Sequence, residues 1–368
     1  MKILHIGASV SPEAVNGINY VVWSVARSQV ILGHNVSILL NGKPINSTID
    51  FAEKTGINLL YIPSKNGMYN KKALDNLLKS DTAEIFHFHS IFLFRQASLS
   101  AHLVRQKIPY IVTPHAITPE FLRRGWLKKW LYGWLIEKPR LLKASAITAV
   151  TPGEQRTIQD YVPNYKGVIY CITNPVKIED FSDTTWSGNI NSKKLVYLGR
   201  FDVFHKGIDI LVELASLLTP DIEVHLYGRT DTKTSNWLKR IQANLPANIY
   251  FHPPVFKAEK NKVLTQASMY IQTSRWEVFG VSIAEAMYLG LPCAIMPTMN
   301  LAEIFQEHDL GLVLPTKLEE AAKLLIHTLN QPDVLHHWSK KAHLYAKENF
   351  QPQKIAIEYL RVYEEVLH

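Results

Sequence analysis

Short apolar runs recur along the first half of the chain, at Ile3–Ala8, Val36–Leu40, Leu59–Ile62, Ile85–Phe88, Tyr110–Thr113 and Ala146–Val150. Longer segments of helical period fill the spaces between them. A strand buried on both faces is a continuous apolar run, and the helix that crosses to its parallel neighbour carries a 3.6-residue stripe, so the pattern predicts βαβ units. The rhythm stops after Asn174-Pro175-Val176, passes through a polar stretch from Asp183 to Lys194, and restarts at Leu195-Val196-Tyr197-Leu198. Further strands are predicted at Ile222–Tyr227, Asn248–Phe251, Met269–Thr273, Pro292–Met296 and Gly311–Leu314. The chain therefore divides into two doubly wound halves, with the change-over in the polar stretch. After Gln351-Pro352, residues Ile355, Tyr359, Val362 and Val366 share one stripe of an amphipathic helix, whose partner the periodicity does not name.

Composition sharpens this picture in three places. A chain of 368 residues is too long for one hydrophobic core, and 47% hydrophobic against 20% charged residues excludes disordered, collagenous and coiled-coil classes. The net charge of +8 points to phosphorylated ligands or an anionic membrane surface, while its scatter along the chain argues against nucleic acid. Cys171 and Cys293 are too few for a disulfide framework or a cysteine zinc site, which suits a reducing compartment, and a cytoplasmic location is expected. No uninterrupted apolar stretch approaches membrane-spanning length.

The most informative string runs from Glu277 to Met287 and contains Glu277, Phe279, Gly280, Val281 and Glu285. Two glutamates eight residues apart are most often surface residues. Here Glu277 follows a predicted strand, and Val281 to Leu289 has the pattern of a helix, so Gly280 falls at a helix N-terminus, where unpaired backbone N–H groups favour an anion. Glu285 lies one turn inside, and its two acceptor oxygens could grip a vicinal diol such as a ribose. A second string, Gly199-Arg200-Phe201-Asp202-Val203-Phe204-His205-Lys206-Gly207, puts Arg200 at the carboxyl end of one strand and Lys206 just before a helix. Open α/β sheets bind ligands there, and two cations suit a pyrophosphate; the alternative is a solvated Arg and Lys beside a turn.

In the first half, Asn16-Gly17 lies in a βα turn with one glycine and no G-x-G-x-x-G, which argues against a nicotinamide enzyme. His115 follows one strand, while His87 and His89 close another with spacing that puts both rings on one face. They have no further ligand nearby in sequence, and the chain contains no D-x-D triplet, so no metal is expected. Trp126, Trp130 and Trp134 share a helix face, with Arg123, Arg124, Lys128 and Lys129 around them. Such stripes are more often core; the other reading is peripheral contact with an anionic membrane.

In their order along the chain, Asn16-Gly17, Gly33-His34, His115, the Arg200–Lys206 string and the Glu277–Glu285 string resemble the retaining glycosyltransferases of family 4. The resemblance covers the whole chain. It implies an α/β GT-B fold of two doubly wound Rossmann-like domains facing a cleft. Residues 1–178 would form the acceptor-side domain, 179–350 the nucleotide-sugar-binding domain, and 351–368 a helix crossing back to the first. It also implies that Arg200 and Lys206 hold the diphosphate, Glu285 the ribose and Glu277 the hydroxyls of the transferred sugar. Gly17 would approach the phosphate, His115 would line the sugar site, and Phe279, Gly280 and Val281 would complete the nucleotide-sugar set. Glu277, Arg200, Lys206 and His115 would be the catalytic group.

The chain departs from the family where Asn16-Gly17 replaces two glycines, and where Thr298-Met299-Asn300-Leu301 replaces a glycine pair before Glu303.

The activity so implied is metal-independent hexosyl transfer, with retention, from a nucleotide diphosphate-sugar to a saccharide or lipid-linked acceptor in polysaccharide or glycolipid synthesis. UDP is the expected nucleotide, and no cofactor is expected. Double displacement needs a second carboxylate about 5 Å from its partner, and the first half offers no clear one, so the resemblance implies a front-face mechanism. The competing readings are a sugar-nucleotide epimerase or phosphorylase of the same architecture, and a catalytically silent nucleotide-sugar binding subunit.

Overall fold

A computed structural model gives the structure of residues 1–12, 17–65, 68–79, 83–123, 125–177, 185–189 and 192–368. All the apolar runs predicted from the sequence form strands. Two units emerge, Met1–Pro175 with Pro352–His368, and Val176–Gln351. The expected boundary at 178/179 lies outside the described residues.

The first unit is built on β1 (Lys2–Ile6), β2 (Asn35–Leu39), β3 (Asn58–Leu60), β6 (Ile85–His89), β7 (Tyr110–Thr113), β8 (Ala146–Ala149) and β9 (Ile169–Cys171). These pair in the order β3-β2-β1-β6-β7-β8-β9, all parallel. A small antiparallel hairpin, β4 (Ser64–Lys65) with β5 (Met68–Tyr69), stands apart. The hairpin was not foreseen because its strands are two residues each; β9 was not foreseen either, although it lies in the apolar run Val168–Ile172. The centre of the sheet reads as predicted: β6, β7 and β8 are buried along their whole length.

The final helix, Pro352–Leu367, lies in this unit. Ile355, Tyr359, Val362 and Tyr363 pack with Val21, Val22 and Val25 of the helix Gly17–Ile31, and Val366 is partly buried beside them. The apolar stripe thus finds its partner at the other end of the chain.

The second unit contains β10 (Lys194–Leu198), β11 (Glu223–Tyr227), β12 (Ile249–His252), β13 (Met269–Gln272), β14 (Cys293–Ile295) and β15 (Leu312–Val313). The order β12-β11-β10-β13-β14-β15 is again all parallel, and it reverses direction between β10 and β13. Gly207, with φ 63°, caps the start of the helix Ile208–Leu217. A Cβ there would lie 2.1 Å from the carbonyl oxygen of Thr273, so only glycine lets this helix begin so close to the end of β13.

Ile355 is fully buried between the two terminal helices. Ile355→Ala should destabilise the first unit by about 2–5 kcal/mol through lost burial and the cavity left behind. Urea unfolding followed by tryptophan fluorescence checks this, and a loss below about 1 kcal/mol would mean the helix is weakly docked.

Candidate active site

In an open α/β sheet, the strands on either side of a reversal send their connections to opposite faces, which leaves a crevice at their carboxyl ends. In the second unit this position falls between β10 and β13, and both strings singled out in the sequence emerge there. Their loops are fastened to each other. Arg275 forms a two-pronged ion pair with Asp209 at 2.8 and 2.6 Å, and donates to the carbonyl of Val203 at 2.9 Å. The ring of His205 stacks on Trp276 with centroids 4.5 Å apart. Asp202 Oδ1 accepts from the backbone N–H of Phe204 and His205 at 3.1 and 2.8 Å, which turns the loop back toward the helix.

This brings Lys206 onto Glu277 in a direct ion pair, with the two side chains only 19% and 16% exposed. Glu277 is therefore not a surface residue. Its backbone is held as well, since Met299 bridges to it and Asn300 N–H donates to its carbonyl at 3.0 Å. The loop that replaces the expected glycine pair thus braces Glu277. Arg200 lies differently, 59% exposed and 3.3 Å from Asp202, so of the two expected cations only Lys206 is already turned to a glutamate of the second string.

Gly280, φ 73°, precedes the helix Val281–Tyr288 and leaves its N-terminus without a side-chain cap. Phe279 is buried edge-on against Phe350, 5.2 Å between centroids. Val281 is half-buried. Glu285 sits one turn into the helix, as its spacing predicted, and pairs with Lys260 at 2.7 Å, both side chains 12% exposed. Lys260 was missed; the only signal for it was that the Glu285 carboxylate had no evident partner in sequence. Beneath the helix, the buried hydroxyl of Tyr270 bonds to Ser282 Oγ at 2.8 Å and Gln272 Oε1 at 2.6 Å, a polar floor that ties β13 to the helix.

In the first unit, Asn16 lies outside the described residues, and Gly17 opens the helix Gly17–Ile31. His87 and His89 do share a face, with ring centroids 4.0 Å apart. Sequence spacing offered no third ligand beside them, but the parallel register sets His5 of β1 opposite His87 and supplies one. Ligand atoms of the three lie within 4.8 Å of one another, close enough to hold a metal ion. All six ring nitrogens already have partners, however: Gln29, Tyr363, Thr113, His115 and the histidines themselves. His115 joins the cluster through His89 at 3.0 Å, and its backbone is left-handed, φ 62°.

The tryptophan segment overturns the core reading. Trp126, Trp130 and Trp134 are 64%, 62% and 63% exposed, and Leu127, Leu131 and Leu135 are exposed with them. They ride on the helix Trp126–Tyr132 and the following π-helical turn Gly133–Glu137. The segment is anchored from its other side, where buried Glu137 binds Arg140 at 2.7 Å and accepts from Phe92 N–H at 2.9 Å. Lys129 is held by the carbonyl and the ring of Phe121, and Lys128 is exposed. Arg124 lies outside the described residues. No helix among the described residues is long and apolar enough to cross a membrane.

Two parallel-sheet α/β units, with paired loops at the switch point of the second, define the GT-B class of glycosyltransferases. Family models match nearly the whole chain end to end, "Glycosyltransferase Family 4" over residues 15–180 and "Glycosyl transferases group 1" over residues 181–344. The chain belongs to the family-4-like GT-B glycosyltransferases. An "uncharacterized 41.2 kDa protein in cps region" of Klebsiella pneumoniae is 21% identical over 379 residues, 99% of either chain. Among solved structures, sucrose-phosphate synthase from Thermosynechococcus elongatus superposes with a TM-score of 0.77 at 17% identity, covering 99% of this chain and 98% of that one. Anabaena HepE in complex with UDP-glucose gives 0.74 at 15% identity, over 99% and 100% of the two chains.

The histidine cluster gives the fold an acid limit. Burial holds His5 down to about 4 and His115 to about 3, and burial together with neighbouring histidines holds His87 and His89 well below the usual value of 6.5. Below pH 6.5 the unfolded chain takes up protons that the folded one refuses, so stability falls as the pH drops toward those lowered values, by roughly 1.4 kcal/mol per pH unit for each histidine. Glu154, pushed up to about 7 by burial, acts oppositely, gaining stability as pH falls, but it is one group against four. The urea midpoint should therefore drop steeply between pH 6.5 and 4.5, and a flat profile would show that the histidines are not buried as neutral rings.

Proposed function

We propose that the chain transfers a hexose, with retention and without a metal, from UDP-sugar to a saccharide or lipid-linked acceptor in polysaccharide or glycolipid synthesis. The Lys206–Glu277 pair at the switch point carries this reading. When a nucleotide-sugar enters, Lys206 turns to its diphosphate and Glu277 accepts from the sugar's hydroxyls, so one pair serves both ends of the bond to be broken. Arg200, free to swing from its exposed position, joins Lys206 in neutralising the charge that grows on the departing diphosphate. Contacts of this kind are worth roughly 2–4 kcal/mol in the transition state. Lys260 holds one oxygen of Glu285 and leaves the other for the ribose. Gly17 and the N–H groups at Gly280 and Val281 approach the phosphates, and His115 lines the sugar site. The leaving phosphate takes the acceptor's proton on the same face. UDP is supported by the HepE complex with UDP-glucose, and polysaccharide synthesis by the Klebsiella relative in a cps region.

Calorimetric titration with UDP tests the assignment. Binding should be unchanged in EDTA, and loss of binding that magnesium restores would overturn the metal-free reading. Glu277→Ala should leave UDP affinity unchanged or tighter, yet cut turnover of UDP-glucose at least about a hundredfold, because a free nucleotide lacks the sugar. Glu285→Ala should weaken UDP itself by roughly 1.5–3 kcal/mol. Equal weakening by both substitutions would sink the division of roles. UDP binding without turnover, even to water, would favour the silent subunit.

The exposed tryptophan and leucine face supports a second part of the reading, that the protein works in the cytoplasm and docks peripherally on an anionic membrane. Six large apolar side chains on about three turns of helix exceed what scattered surface residues need, and Arg123 and Lys128 lie exposed on the same segment. Trp126→Ser with Trp130→Ser, and separately Lys128→Glu, should each reduce sedimentation with phosphatidylserine vesicles, the latter by about 1 kcal/mol per cation. Lys129 is a poor probe because Phe121 holds it. Cosedimentation equal to that of the parent protein for both variants would exclude membrane docking.

A further inference from the structure

Near the carboxyl ends of β1, β6 and β7, three histidines stand in a single hydrogen-bonded file. Gln29 Oε1 lies 2.8 Å from His5 Nε2, His5 Nδ1 lies 3.0 Å from His89 Nε2, and His89 Nδ1 lies 3.0 Å from His115 Nε2. One proton occupies each link, so the direction of one link sets the next. An amide oxygen only accepts, which puts a proton on His5 Nε2. The rings are neutral, as burial requires, so each carries a single N–H. His5 Nδ1 is then bare and accepts from His89 Nε2–H, and His89 Nδ1 is bare and accepts from His115 Nε2–H. The file ends on a bare His115 Nδ1, which is buried and has no hydrogen-bond partner among the described residues.

The opposite polarity meets two obstacles. It would end on a buried N–H without an acceptor, and stranded donors are rarer than stranded acceptors. It would also turn the Gln29 amide so that its nitrogen faced His5. As placed, that nitrogen faces the Tyr363 hydroxyl at 3.5 Å. Tyr363 is then left to donate to His87 Nδ1 at 2.6 Å, and His87 Nε2–H to Thr113 Oγ1 at 2.7 Å. A single amide orientation thus satisfies two branches. The left-handed backbone of His115 adds an independent sign of an imposed geometry, because a non-glycine residue keeps φ 62° only when its surroundings over-determine it.

We propose that Gln29 is a positioning residue that fixes the tautomer of His115 through His5 and His89, so that His115 Nδ1 stands ready to accept a hydrogen bond from a substrate hydroxyl. This rests on the placement of His115 at the sugar site. The file itself can be tested without that placement. Nitrogen-15 NMR of the ring nitrogens in the full-length protein should show Nε2–H on His5, His89 and His115 alike, and Nδ1–H on His115 would overturn the proposal outright. Gln29→Leu and His5→Leu each remove a link remote from His115, and in both a second, Nδ1–H population of His115 should appear. An unchanged His115 signal in folded samples of both variants would refute the file as its cause.

Turnover of UDP-glucose by Gln29→Leu should fall about tenfold while UDP affinity stays unchanged, the size expected for one misdirected hydrogen bond. A shifted tautomer with undiminished turnover would uphold the file and refute the role of His115 toward the sugar.

Discussion

The ion pair between Lys206 and Glu277 spans the reversal in the second sheet, and much of that unit is arranged to allow it. A lysine after one strand and a glutamate after another meet only if their two loops are held at fixed spacing. The Arg275–Asp209 fork, the His205–Trp276 stack and the glycine at 207 supply that hold. Half-buried opposite charges of this kind are costly to separate and costly to leave unpaired, so the pair holds the two loops together. On the proposed assignment the pair would also make the site selective, since a ligand must offer Lys206 an anion and Glu277 a set of donors together. A ligand with only one of these leaves a partly buried charge uncompensated.

The same device recurs at Glu285, whose carboxylate is paired with Lys260 from the helix Lys257–Thr265. Each carboxylate of the second string is thus held in place before any ligand arrives. Side chains so restrained lose less freedom on binding than mobile ones would, which favours affinity without added contacts.

The parallel strands were legible because a strand buried on both faces is dominated by apolar residues, as in β7, β10 and β13, with β6 interrupted by His87. The hairpin β4–β5 was not, since two residues carry no period, and the apolar run Val168–Ile172 that holds β9 was not read as a strand. For the site, the order of strand, turn and helix placed Glu277, Gly280 and Glu285 correctly, as these depend on local rules. Lys260 and His5 were invisible for one shared reason: each meets its partner through strand or helix packing between segments distant in sequence. The tryptophan segment shows the limit of periodicity from the other side. A helical stripe states which residues lie together, whereas burial or exposure depends on what the rest of the chain brings against it.

The core of the first unit is completed by the last helix, Pro352–Leu367, although the unit begins at Met1. During synthesis the second unit, one continuous segment, emerges whole before the residues that finish the first. The first unit must therefore wait on the ribosome with Val21, Val22 and Val25 uncovered, and with His87 lacking the hydroxyl of Tyr363. A nascent chain that ended at residue 351 would have one finished half and one that exposes apolar surface, the kind of surface chaperones recognise. The helix Pro352–Leu367 thus closes the core of the half that carries the histidine cluster.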